Sequence, residues 1–324
     1  MLEIKASRTP LTSTPRRPSA VRGLGGRVLL AVLVLLTVSG CSARKLAMTS
    51  MADMLAGGGD LFTSEDDPQL VKDALPFGLK TQEMILGETP NHLGLLVETC
   101  KGFTLYSYAF VELEAERLEM TDFRASKKLR QRALKLYLRA RGYCQRALEV
   151  RWPGMVERLK TDDAGAALAA AEVEDINLLY WSSLSWGATV AAGLDRPDLV
   201  VDMPIARALI VRCLELDETW DNGSIHEAMI ALEALPATMG GSVERARHHF
   251  ERSVELSDGK RVGPYVAWAK VAINEQDRAS FEEVLDKALA IDVEDPSVRA
   301  DRLTNTVRQE QAALLLSQID DLFI

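Results

Sequence analysis

The sequence predicts an all-α protein of stacked helical hairpins, and three observations carry that expectation. Alanine, leucine, glutamate and arginine dominate residues 42–324, with no convincing run of alternating β-branched residues among them. Apolar residues recur at helical spacing: Leu93, Leu96, Val97, Cys100 and Phe103 form one stripe, and Ala133, Tyr137, Ala140, Cys144, Ala147 and Leu148 another. A helix ending also repeats, in the order small, apolar, polar, apolar and often acidic.

The chain opens with a three-zone segment over residues 1–40. Arg8, Arg16, Arg17, Arg22 and Arg27 precede an apolar run from Val28 to Leu36, and Ser39-Gly40 then lead to Cys41. The run is short of the roughly 20 apolar residues that span a bilayer, so it reads as an export signal outside the fold. Small residues before Cys41 resemble the bacterial lipobox, whose cysteine is acylated and becomes the mature N-terminus. The expectation is a signal peptide over 1–40 and a helical domain over 41–324, lipid-anchored at Cys41. That places the protein on the periplasmic side of the envelope, and Ser42 after the cysteine favours the outer membrane.

Beyond Cys41 the punctuation is that of helices. Asp67-Pro68 sets a capping acid before proline at a first helical position, and Asn91, Ser242 and Asp277 are further candidate caps. Breaks fall at Gly57-Gly58-Gly59, Thr89-Pro90, Trp152-Pro153-Gly154, Gly240-Gly241 and Asp295-Pro296. The repeated endings begin at Ala147, Cys213, Ser253 and Ala288; the last three stand 40 and 35 residues apart, close to the 34-residue tetratricopeptide period. Ala206 and Ile210 precede Cys213 at the offsets at which Ala246 and Phe250 precede Ser253. These are the small and bulky positions of a repeat's second helix, and they predict a tetratricopeptide-like α-solenoid with a concave face for a partner or ligand.

Composition narrows the function. The formal charge is −9, and the basic N-terminal segment makes the remainder more acidic still, the opposite of a nucleic-acid footprint. Cys100, Cys144 and Cys213 are far apart with no CxxC pair, so no structural zinc or thioredoxin-type motif is indicated. They read as buried free thiols, with one disulfide left open for an oxidising periplasm.

Catalytic signatures fail on inspection. His226-Glu227 lacks a second histidine at the zinc-protease spacing, since residue 230 is Ile230. His248 and His249 are adjacent, so on a helix they point about 100° apart. The triple glycine lacks the lysine of a phosphate loop, and no nucleophile elbow occurs. No enzyme, metal or cofactor is expected. Glu112, Glu114, Glu116, Glu119 and Asp122 precede a basic stretch with Lys128, Arg132, Lys135, Arg139 and Arg146. This is either a pair of helices with complementary faces or a docking surface for an anionic partner, with Lys128, Arg132, Lys135 and Arg139 as its candidates. Tyr180, Trp181, Trp186, Trp220, Tyr265 and Trp268 pack a core or line a groove.

The chain also resembles one family, the T-component of tripartite ATP-independent periplasmic (TRAP) transporters, the TatT family. The resemblance covers the mature chain: Cys41-Ser42 with Arg44-Lys45-Leu46-Ala47, the triple glycine with Glu65-Asp66-Asp67-Pro68, and Pro76-Phe77-Gly78-Leu79-Lys80-Thr81. It continues through Leu179-Tyr180-Trp181, Asp217 with Trp220, Ile225-His226-Glu227, Met239-Gly240-Gly241-Ser242, His249-Phe250-Glu251-Arg252, Pro264-Tyr265-Val266 and Asp320-Asp321-Leu322-Phe323. It implies a non-enzymatic lipoprotein that docks the periplasmic solute-binding subunit, self-associates as a homo-oligomer and handles a hydrophobic or organic-acid ligand. Trp181, Trp220, His226 and Trp268 are then candidates for lining the ligand path. The competing reading is a helical-repeat scaffold for assembling envelope proteins, with no small molecule involved.

Overall fold

The computed structural model describes residues 44–58, 60–161 and 164–323. Residues 1–40, expected to form a signal segment, and Cys41 lie outside them. Among the described residues no strand occurs, and no helix is long and apolar enough to cross a membrane. The all-α, solenoid-like expectation holds.

Residues 48–56 are helical. Helix α1 (Pro68–Glu88) starts as the sequence predicts, with Asp67 accepting from the Leu70 amide at 3.0 Å and Pro68 in the first turn. Helix α2 (Leu93–Tyr106) is capped by His92, whose Nδ1 accepts from the Leu95 amide at 3.1 Å. The cap expected at Asn91 therefore sits one residue later. Helix α3 (Phe123–Arg151) begins at Asp122 and ends before Gly154, whose φ of 79° reverses the chain. The remaining principal helices are α4 (Ile176–Ala191), α5 (Met203–Leu216), α6 (Ser224–Glu233), α7 (Val243–Leu256), α8 (Gly263–Asn274), α9 (Arg278–Leu289) and α10 (Arg302–Ser317). Ser242 and Asp277 cap α7 and α9 as expected.

Neighbours in sequence pair in space: α2 with α3, α4 with α5, α6 with α7, and α8 with α9. Each hairpin also packs on the next through α3–α4, α5–α6, α7–α8 and α9–α10. The stack curves back on itself, because α10 touches α1. Helix α4 is buried nearly all round, Trp186 and Val190 among its core residues, as a central helix should be.

The repeat positions show why small residues recur. Ala206, Cys213, Ala246, Ser253 and Ala288 are fully buried. The Cys213 thiol donates to the Ile176 carbonyl at 3.8 Å, where α4 opens. The Ser253 hydroxyl donates to the Gly223 carbonyl at 3.0 Å, just before α6. Each small polar side chain thus finds its own acceptor at the close approach, in a carbonyl at the start of the preceding helix. Gly223 has φ of 90°, and a Cβ there would come within 3.2 Å of the Ser253 Cα.

One expectation is corrected. Cys100 and Cys144 are not free thiols: they form a disulfide across 44 residues, stapling α2 to α3, with their Cα atoms 5.5 Å apart. The two helical stripes put both cysteines at zero exposure on facing helices, a pairing that spacing in sequence could not reveal. Cys213 remains a buried free thiol.

Candidate functional site

The turns of α2 set up the site. Thr99, Thr104 and Ser107 donate their hydroxyls to carbonyls four residues back, which loosens the helical ladder. The helix then passes through a π-helical stretch, Ser107–Glu112, before resuming as Leu113–Leu118. Such a stretch re-aims the side chains it carries. Here it turns Tyr108 toward α10 and Glu112 toward α3.

The result is a polar seam where the two ends of the stack meet. Tyr108 donates its hydroxyl to Gln311 Oε1 at 2.5 Å, and Arg308 reaches the same phenol. Arg308 also donates to Glu227 Oε1 at 2.9 Å, and Gln311 to Glu116 Oε2 at 2.8 Å. Lys270 lies 3.4 Å from Glu116. Arg261 completes the group, donating to the Ser224 hydroxyl and facing Asp301 at 3.4 Å. Tyr137 donates to Glu112 from α3.

Burial and charge pull against each other here. Burial opposes the positive charge of Arg308, but Tyr108, Glu227 and Glu116 hold its pKa above the ordinary arginine value. Burial likewise opposes Lys270, and Tyr108 with Glu116 outweighs it. Burial raises the Glu112 carboxyl, the Tyr137 hydrogen bond only partly offsetting it. Burial and the Glu227 charge push the Tyr180 phenol far up. The cations therefore stay charged, matched by carboxylates.

The seam is not sealed. The Lys270 side chain is 44% accessible despite being ringed by protein groups. It lines a cavity of about 320 Å³ whose polar wall includes Glu116, Glu119 and Arg130 and whose apolar wall includes Ile273, Leu314 and Leu315. Gly263 gives the seam its tightness: a Cβ there would sit 2.3 Å from the Glu227 carboxylate oxygens. That carboxylate thus rests against the first turn of α8, where the helix dipole favours it.

Of the residues expected to line a ligand path, Trp181 and Trp220 come together on Tyr180, with ring centroids at 5.2 and 4.8 Å. Trp181 is 9% exposed and carries Lys101 5.7 Å from its ring centroid. His226 is buried beside His249, their Nδ1 atoms 2.9 Å apart, so one ring donates and the other accepts. Its Nε2 is 3.6 Å from Glu218, too long for a hydrogen bond. Burial lowers both imidazoles, His249 to about 4 with further help from His226 and His248. Trp268 stands apart, in the C-terminal core: it stacks on Phe250 and donates to the Ser280 hydroxyl at 2.9 Å.

The basic face of α3 divides. Arg139 forms a two-pronged pair with Glu83 and lies 5.1 Å from the Phe103 ring centroid. Arg132 covers Tyr106 at 5.7 Å. Lys128 and Lys135 stand exposed. The acidic run does not zip along α3 as a complementary face: Glu119 pairs with Arg130, but Glu112 and Glu116 turn into the seam. A larger depression of about 620 Å³ lies farther along α3, at Gly142, Arg146 and Glu149, and none of Trp181, Trp220 and Trp268 lines it.

The seam residues were missed in the sequence. Their signal was there: Lys270 is the one charge in the apolar run Val266–Ile273, and Arg308 stands in α10 between Val307 and the buried Gln311. Without the long-range fold, nothing said that these charges meet.

The family model of the TRAP transporter T-component matches residues 64–323. A protein of Treponema pallidum (strain Nichols), described only as uncharacterized, is 30% identical over 311 residues, covering 89% of this chain and 95% of the relative.

Proposed function

The chain belongs to the TRAP transporter T-component family, and from that membership we propose that it docks the transporter's solute-binding subunit and assists capture or hand-over of an organic ligand. Membership supports association with a TRAP transporter and an envelope location. The finer reading rests chiefly on the open, amphipathic seam. A cavity with Lys270 and Glu116 at its head and Ile273, Leu314 and Leu315 along its wall suits a molecule with one polar end and an apolar body. The Tyr180–Trp181–Trp220 cluster and, separately, His226 would line the ligand's path on the same reading.

The protein acts by holding rather than by reacting, with the stack serving as a tetratricopeptide-like platform. Lys128 and Lys135, with Arg132 and Arg139 beside them, offer an acidic partner a docking strip. The driving energy comes from the transporter's ion gradient. Acylation at Cys41 keeps the platform on the periplasmic face, in the outer membrane, and homo-oligomerisation would array several platforms there. The Cys100–Cys144 bond suits an oxidising compartment.

A tagged chain recovered from native membranes tests this reading, with mass spectrometry of co-purifying proteins and small molecules. Recovery of a solute-binding subunit together with an organic ligand is expected. Recovery of envelope-assembly proteins alone, with no solute-binding subunit, would replace the reading with that of a scaffold.

A further inference from the structure

The cavity beside Lys270 has a wall of both charge signs. Glu116 and Glu119 come from the Leu113–Leu118 helix and its C-terminal cap, Arg130 from α3 and Lys270 from α8. Acids and bases are equal in number, so the charged wall has no formal net charge. The signs also alternate at short range: Lys270 Nζ lies 3.4 Å from Glu116 Oε1, and Arg130 pairs with Glu119. Ile273, Leu314 and Leu315 make the apolar side, and Leu322 of the C-terminal turn adds to it.

Lys270 is the underused member. An ammonium carries three donors. Among the described residues its one acidic contact, at 3.4 Å, is longer than the roughly 2.7–2.9 Å of a full charge-assisted hydrogen bond. Glu116 is held from behind, through its other oxygen, which accepts from Gln311 Nε2 at 2.8 Å. Its Oε1 and the Lys270 ammonium therefore form a loose pair on the cavity wall.

We propose that the cavity takes an α-amino acid with an apolar side chain, its carboxylate on Lys270, its ammonium on Glu116 and its side chain along Ile273, Leu314 and Leu315. The assignment rests on the reading of this cavity as a ligand site and adds the ligand's charge pattern to it. A simple carboxylic acid, entering as its anion, would draw Lys270 away and leave the Glu116 carboxylate facing a second negative charge without its cation. A simple amine would strand Lys270 in the same way. A zwitterion exchanges one pair for two, so neither wall charge loses a partner. The opposite charges of an α-amino acid flank one carbon, which matches wall charges only 3.4 Å apart. Arg130 and Glu119, each nearly half exposed, cancel at the rim and favour neither sign. The volume of about 320 Å³ is at the small end of the ~300–1,000 Å³ usual for ligand cavities, which suits one small molecule rather than a lipid.

Titration calorimetry of the purified full chain tests this with probes that separate head from tail. They are L-leucine, 4-methylpentanoate (the same tail without the ammonium), 3-methylbutylamine (without the carboxylate) and glycine (without the tail). L-Leucine should bind at least tenfold more tightly than each of the others. Lys270→Met should weaken leucine binding at least tenfold, and Glu116→Gln should move the preference at least tenfold toward 4-methylpentanoate. Melting curves check that both variants fold, and the ranking on the parent needs neither. Equal or tighter binding of 4-methylpentanoate by the parent would overturn the proposal and leave an organic-acid ligand standing. No saturable binding of L-leucine at about 1 mM, or unchanged leucine affinity in both folded variants, would overturn it as well. Recovery of a solute-binding subunit from membranes is read separately, so the docking reading survives a negative titration.

Discussion

Replacing Cys100 and Cys144 together by alanine removes a covalent staple from the middle of the first hairpin, at a position where both side chains have zero exposure. The closed loop spans 44 residues, and loop-closure entropy for that length gives about 4 kcal/mol of stabilisation. The alanines lose little packing by comparison, since each removes one sulfur from a site that already demands a small side chain. For a chain of this size, 4 kcal/mol corresponds to a fall in Tm of roughly 10 °C. Scanning calorimetry of the double variant against the oxidised parent reads that shift. Cys213→Ala is the control, because Cys213 has no covalent partner and should move Tm far less. A double variant melting within about 2 °C of the parent would refute the reasoning: either the bond does not form, or the unfolded chain is already constrained without it.

Arg308→Met should cost about 3 kcal/mol in urea unfolding, because it strands the Glu227 carboxylate in the seam and leaves the Tyr108 hydroxyl only its bond to Gln311. Adding Glu227→Gln should recover part of that loss, and equal stabilities for the single and double variants would argue against the coupling. Gly263→Ala drives a Cβ into the Glu227 carboxylate, so it should destabilise the chain, and less so once Glu227 is already alanine. The histidine pair predicts a pH dependence with a definite sign. Burial holds His249 at about 4 in the folded chain, against roughly 6.5 unfolded. Its contribution is therefore complete above pH 6.5 and is lost as pH falls toward 4. Unfolding midpoints measured across that window should drop for the parent and drop less for His249→Gln. A parallel decline would remove the pair from the account.

The parts legible in the sequence were the local ones. Caps at Asp67, Ser242 and Asp277, breaks at proline and glycine, and the spacing of Ala206, Cys213, Ala246, Ser253 and Ala288 are all written within a few turns of chain, and the structure follows them. The cap assigned to Asn91 slipped to His92 because an imidazole nitrogen also accepts from the third helical amide. Two larger features were not legible, for one reason. The Cys100–Cys144 bond and the Tyr108–Arg308–Glu227 seam join residues across 44, 200 and 81 positions, and single-sequence periodicity carries no information about which helix faces which. The π-helical turn at Ser107–Glu112 was hidden similarly. Its hydroxyl residues are common in ordinary helices, and their back-bonding matters only because α10 waits opposite. Among the aromatic candidates, helical spacing could not separate Trp268, sealed in the C-terminal core, from Trp181 and Trp220, which meet on Tyr180.

The claim at the centre is that the chain works by holding a transporter's solute-binding subunit. Titration calorimetry of that purified subunit into the purified chain measures it most directly, repeated with Lys128, Arg132 and Lys135 reversed to glutamate. Saturable binding to the parent is expected, weakened at least tenfold in the reversed variant while its circular dichroism and melting stay unchanged. No binding to the parent at about 100 µM would contradict the account, and undiminished binding to the reversed variant would move the docking surface off α3.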